Sequence, residues 1–241
     1  MAGSIFCDLE KAFDSVNHDI LLSKLSFYGI SGKAKSLLNS YLQNRHQKFL
    51  ITNSLFNTNT VSKWTKITCG VLQGSILVPL LFLLYINDLF KAIKLKVLPI
   101  LFAAVTSNLI TSSNCNQLQS DFNTVFAQIN RWFTSNLLFL NCVKTHFIQF
   151  NNASKCTSVT EIKCEEEQIS IANETKFLGL HINNNLSWKT HIEIIRNKLI
   201  SACYVMKLVK PYVTANTLKI IYYSYFQFIM TYGLLFWRNS P

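Results

Sequence analysis

The sequence predicts an α+β fold. Apolar stripes at helical spacing and short β-like runs follow one another without a regular β-α-β repeat, so helices and antiparallel strands are mixed rather than wound into a parallel sheet. Hydrophobic residues make up 49% of the 241 and aromatics 13%, enough for a substantial core. The longest apolar run, residues 76–86, contains Pro79 and closes on Asn87 and Asp88. A membrane span needs about 20 consecutive apolar residues, so none is expected.

A first helix is predicted over 19–28, where Leu21, Leu22, Leu25 and Tyr28 share a face and Gly29 ends it. A second, over 33–43, carries Leu37, Leu38, Tyr41 and Leu42. Residues 47–68 change to short β-like runs around Asn-rich turns, a hairpin pattern. A strongly apolar helix follows over 75–90, with Pro79 near its first turn, where a missing amide proton is tolerated. Strands over 98–102 and 107–111 meet at a tight turn, and 118–136 form an amphipathic helix with Phe122, Val125, Phe126, Ile129, Trp132 and Phe133 on its stripe. Further strands are expected at 145–150, 161–164, 168–171 and 176–182. Two long helices, 188–209 and 214–233, flank Pro211. The chain accordingly divides into residues 1–187 and a partly independent helical region, 188–241.

With 23 Lys and Arg against 12 Asp and Glu, the net charge is +11. Polyanionic partners such as nucleic acid fit this balance, as does simple solubility. From residue 189 onward there are seven Lys and Arg against one acid, Glu193, whereas five acids sit between Glu161 and Glu174. The seven cysteines form no C-x-x-C pair, and read as reduced thiols in an intracellular, cytoplasmic or nuclear setting. The five histidines lack a metal-binding spacing, so structural zinc is not expected.

Three segments stand out: FCDLEKAFDSVNH (6–18), CGVLQGSILVPLLFLLYINDL (69–89) and LNCVKTHFIQF (140–150). In this order and at this spacing they resemble the palm of reverse transcriptases of non-LTR retrotransposons, the jockey-like and LINE-like group. The resemblance implies a right-hand polymerase palm with an antiparallel sheet and packed helices, followed by a helical thumb-like region. Met1 lies only seven residues before Asp8, so most of the fingers is expected to be missing, and neither an endonuclease module nor a zinc knuckle is recognisable. The activity implied is RNA-directed DNA polymerase with Mg2+ as cofactor. The implied partners are nucleic acid, namely an RNA template and an RNA–DNA duplex, with no membrane.

Nucleotide addition is an in-line phosphoryl transfer in which two divalent cations about 4 Å apart grip the attacking and leaving oxygens. Magnesium is a hard ion held by carboxylates, so converging aspartates are needed. By resemblance Asp8 is the first of them; on its residues alone an Asp before a helix reads as an N-cap. Phe13 stands where the family keeps an aromatic that blocks a ribose 2′-hydroxyl, and is equally readable as a core aromatic. Gln73 and Gly74 open the next motif, where backbone amides can meet a nucleotide; Leu72 and Val78 depart from the family pattern there. Lys144 resembles the lysine that protonates leaving pyrophosphate, and reads alternatively as a solvated residue.

The third motif fails. The segment Phe102-Ala103-Ala104-Val105-Thr106 aligns with F-A-D-D-T, so Ala104 and Val105 stand where the family has its aspartate pair, and no Asp or Glu lies between Asp88 and Asp121 to replace them. The chain is therefore expected to be a truncated and catalytically inactive copy. Phe177, Leu178 and Gly179 resemble the hairpin holding the primer end, and Lys189, Arg196, Lys198 and Lys207 would contact duplex phosphates. A non-catalytic nucleic-acid-binding remnant and an unselected product of a decayed element are the other readings.

Overall fold

The computed structural model describes residues 1–53, 58–72, 74–93, 97–102, 105–150, 162–164 and 167–239. Its first elements are β1 (Ala2–Asp8), α1 (His18–Phe27), α2 (Gly32–Leu42), β2 (His46–Gln47), β3 (Leu50–Asn53), β4 (Thr58–Val61) and β5 (Thr65–Lys66). Then come α3 (Leu77–Ile86), α4 (Leu89–Ala92), β6 (Val97–Phe102), β7 (Val105–Thr111), α5 (Cys115–Ser135), β8 (His146–Phe150), β9 (Ile162–Cys164) and β10 (Glu167–Ile171). The chain continues through β11 (Glu174–Phe177), β12 (Leu180–Asn183), α6 (Lys189–Val209), α7 (Ala215–Ile221), α8 (Phe228–Thr231) and α9 (Leu234–Trp237). Two compact units result, Met1–Phe147 with Thr157–Ser170, and Ile148–Cys156 with Ile171–Pro241.

A six-stranded sheet has the order β6-β7-β1-β8-β10-β9, with β6, β7 and β1 antiparallel to one another. Three helices of the first unit bury one stripe each in a common core. Leu118, Phe122, Val125, Phe126, Ile129, Trp132 and Phe133 recur along α5 at helical spacing and are buried, and the Phe122 ring meets Phe147 edge-on at 3.9 Å. From α3 come Val78, Leu81, Phe82, Tyr85 and Ile86, and from α1 Leu21 and Leu25. Helix α1 starts where Asn17 Oδ1 accepts the amides of Asp19 and Ile20, an N-cap that the Asn side chain suits. No helix among the described residues is long and apolar enough to cross a membrane.

Four details differ from the sequence expectations. The helix expected over 75–90 breaks at Asn87 and Asp88 into α3 and α4, where the Asp88 carboxylate pairs with Lys24. The single strand that periodicity places over 176–182 is a hairpin, as the resemblance of Phe177, Leu178 and Gly179 implies, folded back at Leu178 (φ +48°) and Gly179 (φ +82°) between the paired Phe177 and Leu180. The helix expected over 214–233 is α7 and α8 joined by a π-helical stretch, Tyr222–Gln227. Cys7, Cys69, Cys142 and Cys203 carry reduced thiols, but Cys115 is disulfide-bonded, so the thiols are not all reduced; spacing along the chain does not report which cysteines the fold brings together.

Candidate functional site

Asp8 ends β1, and its cross-strand partner on β7 is Val105, which in turn pairs with Phe102 on β6. Side chains alternate along a strand, so the rows Asp8-Val105-Phe102, Phe6-Ser107-Ile100 and Ser4-Leu109-Leu98 lie on one face of the sheet. These three rows carry a single carboxylate, Asp8, and are otherwise apolar or hydroxylic. Ser4 and Ser107 share a hydrogen bond of 2.8 Å, and Phe6 stacks on His146 at 5.5 Å.

The segment 139–145 fixes the Asp8 end of β1. Phe139 accepts the Glu10 amide at 2.9 Å, the Asn141 amide donates to the Asp8 carbonyl at 2.9 Å, and the Asp8 amide donates to Thr145 Oγ1 at 3.4 Å. Asn141 Oδ1 accepts the Lys144 amide at 3.1 Å, which turns the lysine toward the strand end. Its ammonium then lies 3.5 Å from Asp8 Oδ2. Lys144 remains 67% exposed and Asp8 27%, so this ion pair stabilises the fold by less than about 1 kcal/mol. Its weight is local: the only carboxylate on the row already faces a cation.

Two divalent ions do not fit these residues. Opposite Asp8 stands the isopropyl group of Val105, which coordinates nothing, and no group of three or more His, Cys, Asp or Glu among the described residues could hold a metal. Residues 73 and 104 lie outside the described residues. Two dications about 4 Å apart repel by roughly 17 kcal/mol at a moderate effective dielectric of about 20, which one carboxylate does not offset.

The loop after Asp8 is stitched to the start of the glutamine-glycine motif. Val71 donates to the Phe13 carbonyl at 2.9 Å, Gly70 to Val16 at 2.8 Å, and His18 Nε2 to the Gly70 carbonyl at 2.8 Å. A Cβ at Gly70 would fall 2.9 Å from the Asp14 carbonyl oxygen, and Gly70 has φ +85°, so only glycine fits this backbone crossing. Phe13 is half-buried against Phe82 of α3, ring centroids 4.9 Å apart. Gly74 has φ +92° and open space at its Cβ position.

One polar cluster gave no sequence signal. Lys24 Nζ donates to the Tyr85 carbonyl and to Asp88 Oδ1, each at 2.6 Å, and lies over the rings of Trp132 (4.5 Å) and Tyr85 (4.9 Å). Burial lowers the Lys24 pKa, and Asp88 opposes that shift. Tyr85, pushed up by burial, donates its hydroxyl to the Asn136 carbonyl at 2.7 Å. The residues are 61 and 64 positions apart in the chain, beyond any local pattern. On β7, Asn108 is fully buried with neither side-chain amide atom bonded.

In the second unit, Tyr232 donates its hydroxyl to the Leu178 carbonyl, and a Cβ at Gly179 would lie 3.1 Å from the Tyr232 ring. On α6, Lys189, Arg196, Lys198 and Lys207 are exposed. At about 100° per residue, Lys189, Arg196 and Lys207 fall within roughly 20° of one another, and Lys198 lies on the opposite side. His191, buried, accepts the His181 amide on Nδ1 at 3.3 Å, while its Nε2 has no hydrogen-bond partner. Burial first, then the His181 and Lys198 charges, hold its pKa below the usual histidine value.

The family profile described as "Reverse transcriptase (RNA-dependent DNA polymerase)" matches residues 2–182. A probable RNA-directed DNA polymerase from transposon BS of Drosophila melanogaster is 26% identical over 97% of this chain and 26% of its own length. The RNA-directed DNA polymerase from mobile element jockey of Drosophila funebris is 27% identical over 81% of this chain and 21% of its own length. The chain thus spans about a quarter of the length of these curated relatives. A solved apo telomerase from Candida tropicalis, truncated from its C-terminal domain, superposes with a TM-score of 0.50 at 16% identity, covering 76% of this chain and 34% of that one; this likeness is one of fold.

Proposed function

Because the chain belongs to the reverse transcriptase (RNA-dependent DNA polymerase) family, we propose that it is a retroelement palm, residues 1–187, with a thumb-like region, 188–241, that holds nucleic acid and does not extend a primer. The observation that carries this is the pairing of Asp8 with Val105, in a chain whose residue 104 is alanine. Magnesium in this family's chemistry would need carboxylates at both positions, and this chain supplies one at neither. In this reading Phe13, Gln73 and Gly74 line the nucleotide's place and Lys144 serves as an acid only when a pyrophosphate is there to receive its proton. The 177–179 turn and the Lys189, Arg196 and Lys207 face meet the primer end and the phosphates of an RNA–DNA duplex, with Lys198 set apart from them.

The test is primer extension on an RNA template with magnesium, run on this chain and on an Ala104→Asp/Val105→Asp variant. Extension by the variant alone supports the reading; extension by the native chain overturns it.

A second reading, the unselected product of a decayed element, is favoured by Asn108, whose bare amide in the core is a cost that selection for stability removes. A single cooperative unfolding transition counts against it.

A further inference from the structure

We propose that the segments 45–53 and 58–69 form a binding site for single-stranded nucleic acid, built on the exposed rings of Phe49 and Trp64 and separate from the Asp8 face. The inference rests on the reading of this chain as a nucleic-acid-binding member of its family. Between Asp19 and Asp88 the sequence holds no Asp or Glu, against seven Lys and Arg. Of these, Lys24 is paired to Asp88, whereas Lys48, Lys63 and Lys66 are exposed and have no ion pair among the described residues.

Aromatics interleave with these cations. Phe49 is 65% and Trp64 64% exposed, with Lys48 Nζ 4.9 Å from the Trp64 ring centroid. Two large rings left in water are unfavourable for folding, and here the backbone holds them out. The Phe49 amide donates to Ser62 Oγ at 2.8 Å, the Ser62 amide donates back to the Phe49 carbonyl at 2.9 Å, and the β2–β5 pairing sets His46 opposite Lys66 and Gln47 opposite Thr65.

Beside Phe49 a cavity of about 390 Å³ opens, lined also by Gln47, Thr65, Thr68 and Lys66, with Asp14 its one carboxylate among the described lining residues. That volume lies in the range of about 300–1,000 Å³ typical of small-molecule pockets. Its chemistry matches a nucleotide: an aromatic wall for a base, an amide with both donors and an acceptor, and an ammonium for the phosphate. Duplex is the poorer fit, because a paired and stacked base offers no free face to Phe49 or Trp64. Cations alone would serve a duplex; cations beside bare rings select unpaired bases.

The test measures anisotropy of labelled oligo(rU), oligo(dT) and a blunt RNA–DNA duplex with the native chain, a Phe49→Ala/Trp64→Ala variant and a Lys189→Gln/Arg196→Gln/Lys207→Gln variant. The aromatic variant is expected to lose about tenfold or more in affinity for single strands and to hold the duplex within about twofold. The α6 variant is expected to do the reverse, and Lys48→Gln/Lys66→Gln to flatten the salt dependence of single-strand binding by about 1.4 in log–log slope. Comparing the two homopolymers tells whether RNA or DNA is preferred. Native-like single-strand binding by the aromatic variant, with duplex binding intact, overturns this site and leaves the family reading standing. Binding of neither ligand by the native chain overturns both. The substituted side chains are exposed, so an unchanged melting temperature is the control for folding.

Discussion

Asp8 faces Val105 directly across the β1–β7 ladder, with the Lys144 ammonium 3.5 Å away on the other side. A Val105→Asp change therefore sets two carboxylates as cross-strand neighbours, with Cβ atoms about 4.5–5.5 Å apart, and like charges there destabilise a sheet by roughly 0.2–1 kcal/mol. A divalent cation reverses that sign by binding the folded state. The expected outcome is a melting temperature for the native chain that ignores magnesium, and one for Ala104→Asp/Val105→Asp that rises with it. Equal magnesium dependence of the two would show that the carboxylates do not converge.

Lys24 and Asp88 supply the second prediction. Asp88→Asn leaves an ammonium that is 12% exposed with only neutral acceptors and two rings around it and no compensating charge, a loss of about 3–5 kcal/mol. Replacing both partners, as Lys24→Met/Asp88→Leu, removes the desolvation cost along with the attraction and is expected to restore most of that loss. Urea denaturation of the two variants separates a paired charge from a packing residue.

How far the sequence carries is visible in these two sites. Asp8 and Lys144 were legible because each sits in a short motif, and their approach follows from the strands that the motifs form. The register that sets Val105 opposite Asp8 required β7 to begin at residue 105, two residues earlier than periodicity places it, because a valine at the turn pairs as readily as one inside a strand. Lys24 with Asp88 was not legible, since a contact between α1 and the end of α3 depends on how two apolar stripes cross. The 176–182 run has unbroken strand character apart from Gly179, so its turn was legible only through the resemblance of Phe177, Leu178 and Gly179 to a hairpin; it depends on a left-handed Leu178, a conformation that leucine itself does not advertise.

Asn108 gives the third prediction. Its amide is buried on the β7 face between Ile5 of β1 and Pro99 of β6, with no partner for either side-chain atom. Leucine has nearly the same shape and nothing to desolvate, so Asn108→Leu is expected to stabilise the first unit by about 1–3 kcal/mol. Chemical denaturation should show the midpoint moving up with an unchanged m-value; a lower midpoint would mean that the amide is satisfied in solution, for instance by a buried water.

The last prediction concerns pH. His191 is buried against Trp188 and Trp237, with ring centroids 5.9 and 6.0 Å away, and its Nδ1 already accepts the His181 amide. Protonating Nδ1 breaks that hydrogen bond and puts a cation among apolar rings near His181 on β12 and Lys198 on α6. Glu174 on β11 bears on His181, where it opposes the downward pull of burial and Lys176 on that pKa. The folded pKa of His191 is thus below the ordinary 6.5, and the unfolded chain binds the proton more readily. Stability from this residue is complete above the unfolded value and falls as pH drops through 6.5 toward the folded value. The native chain should therefore unfold more easily at mildly acidic than at neutral pH. His191→Phe, which carries no proton in either state, should lose much of that slope while sacrificing the bond from His181 at every pH. An unchanged slope in the variant would assign the acid sensitivity to other groups.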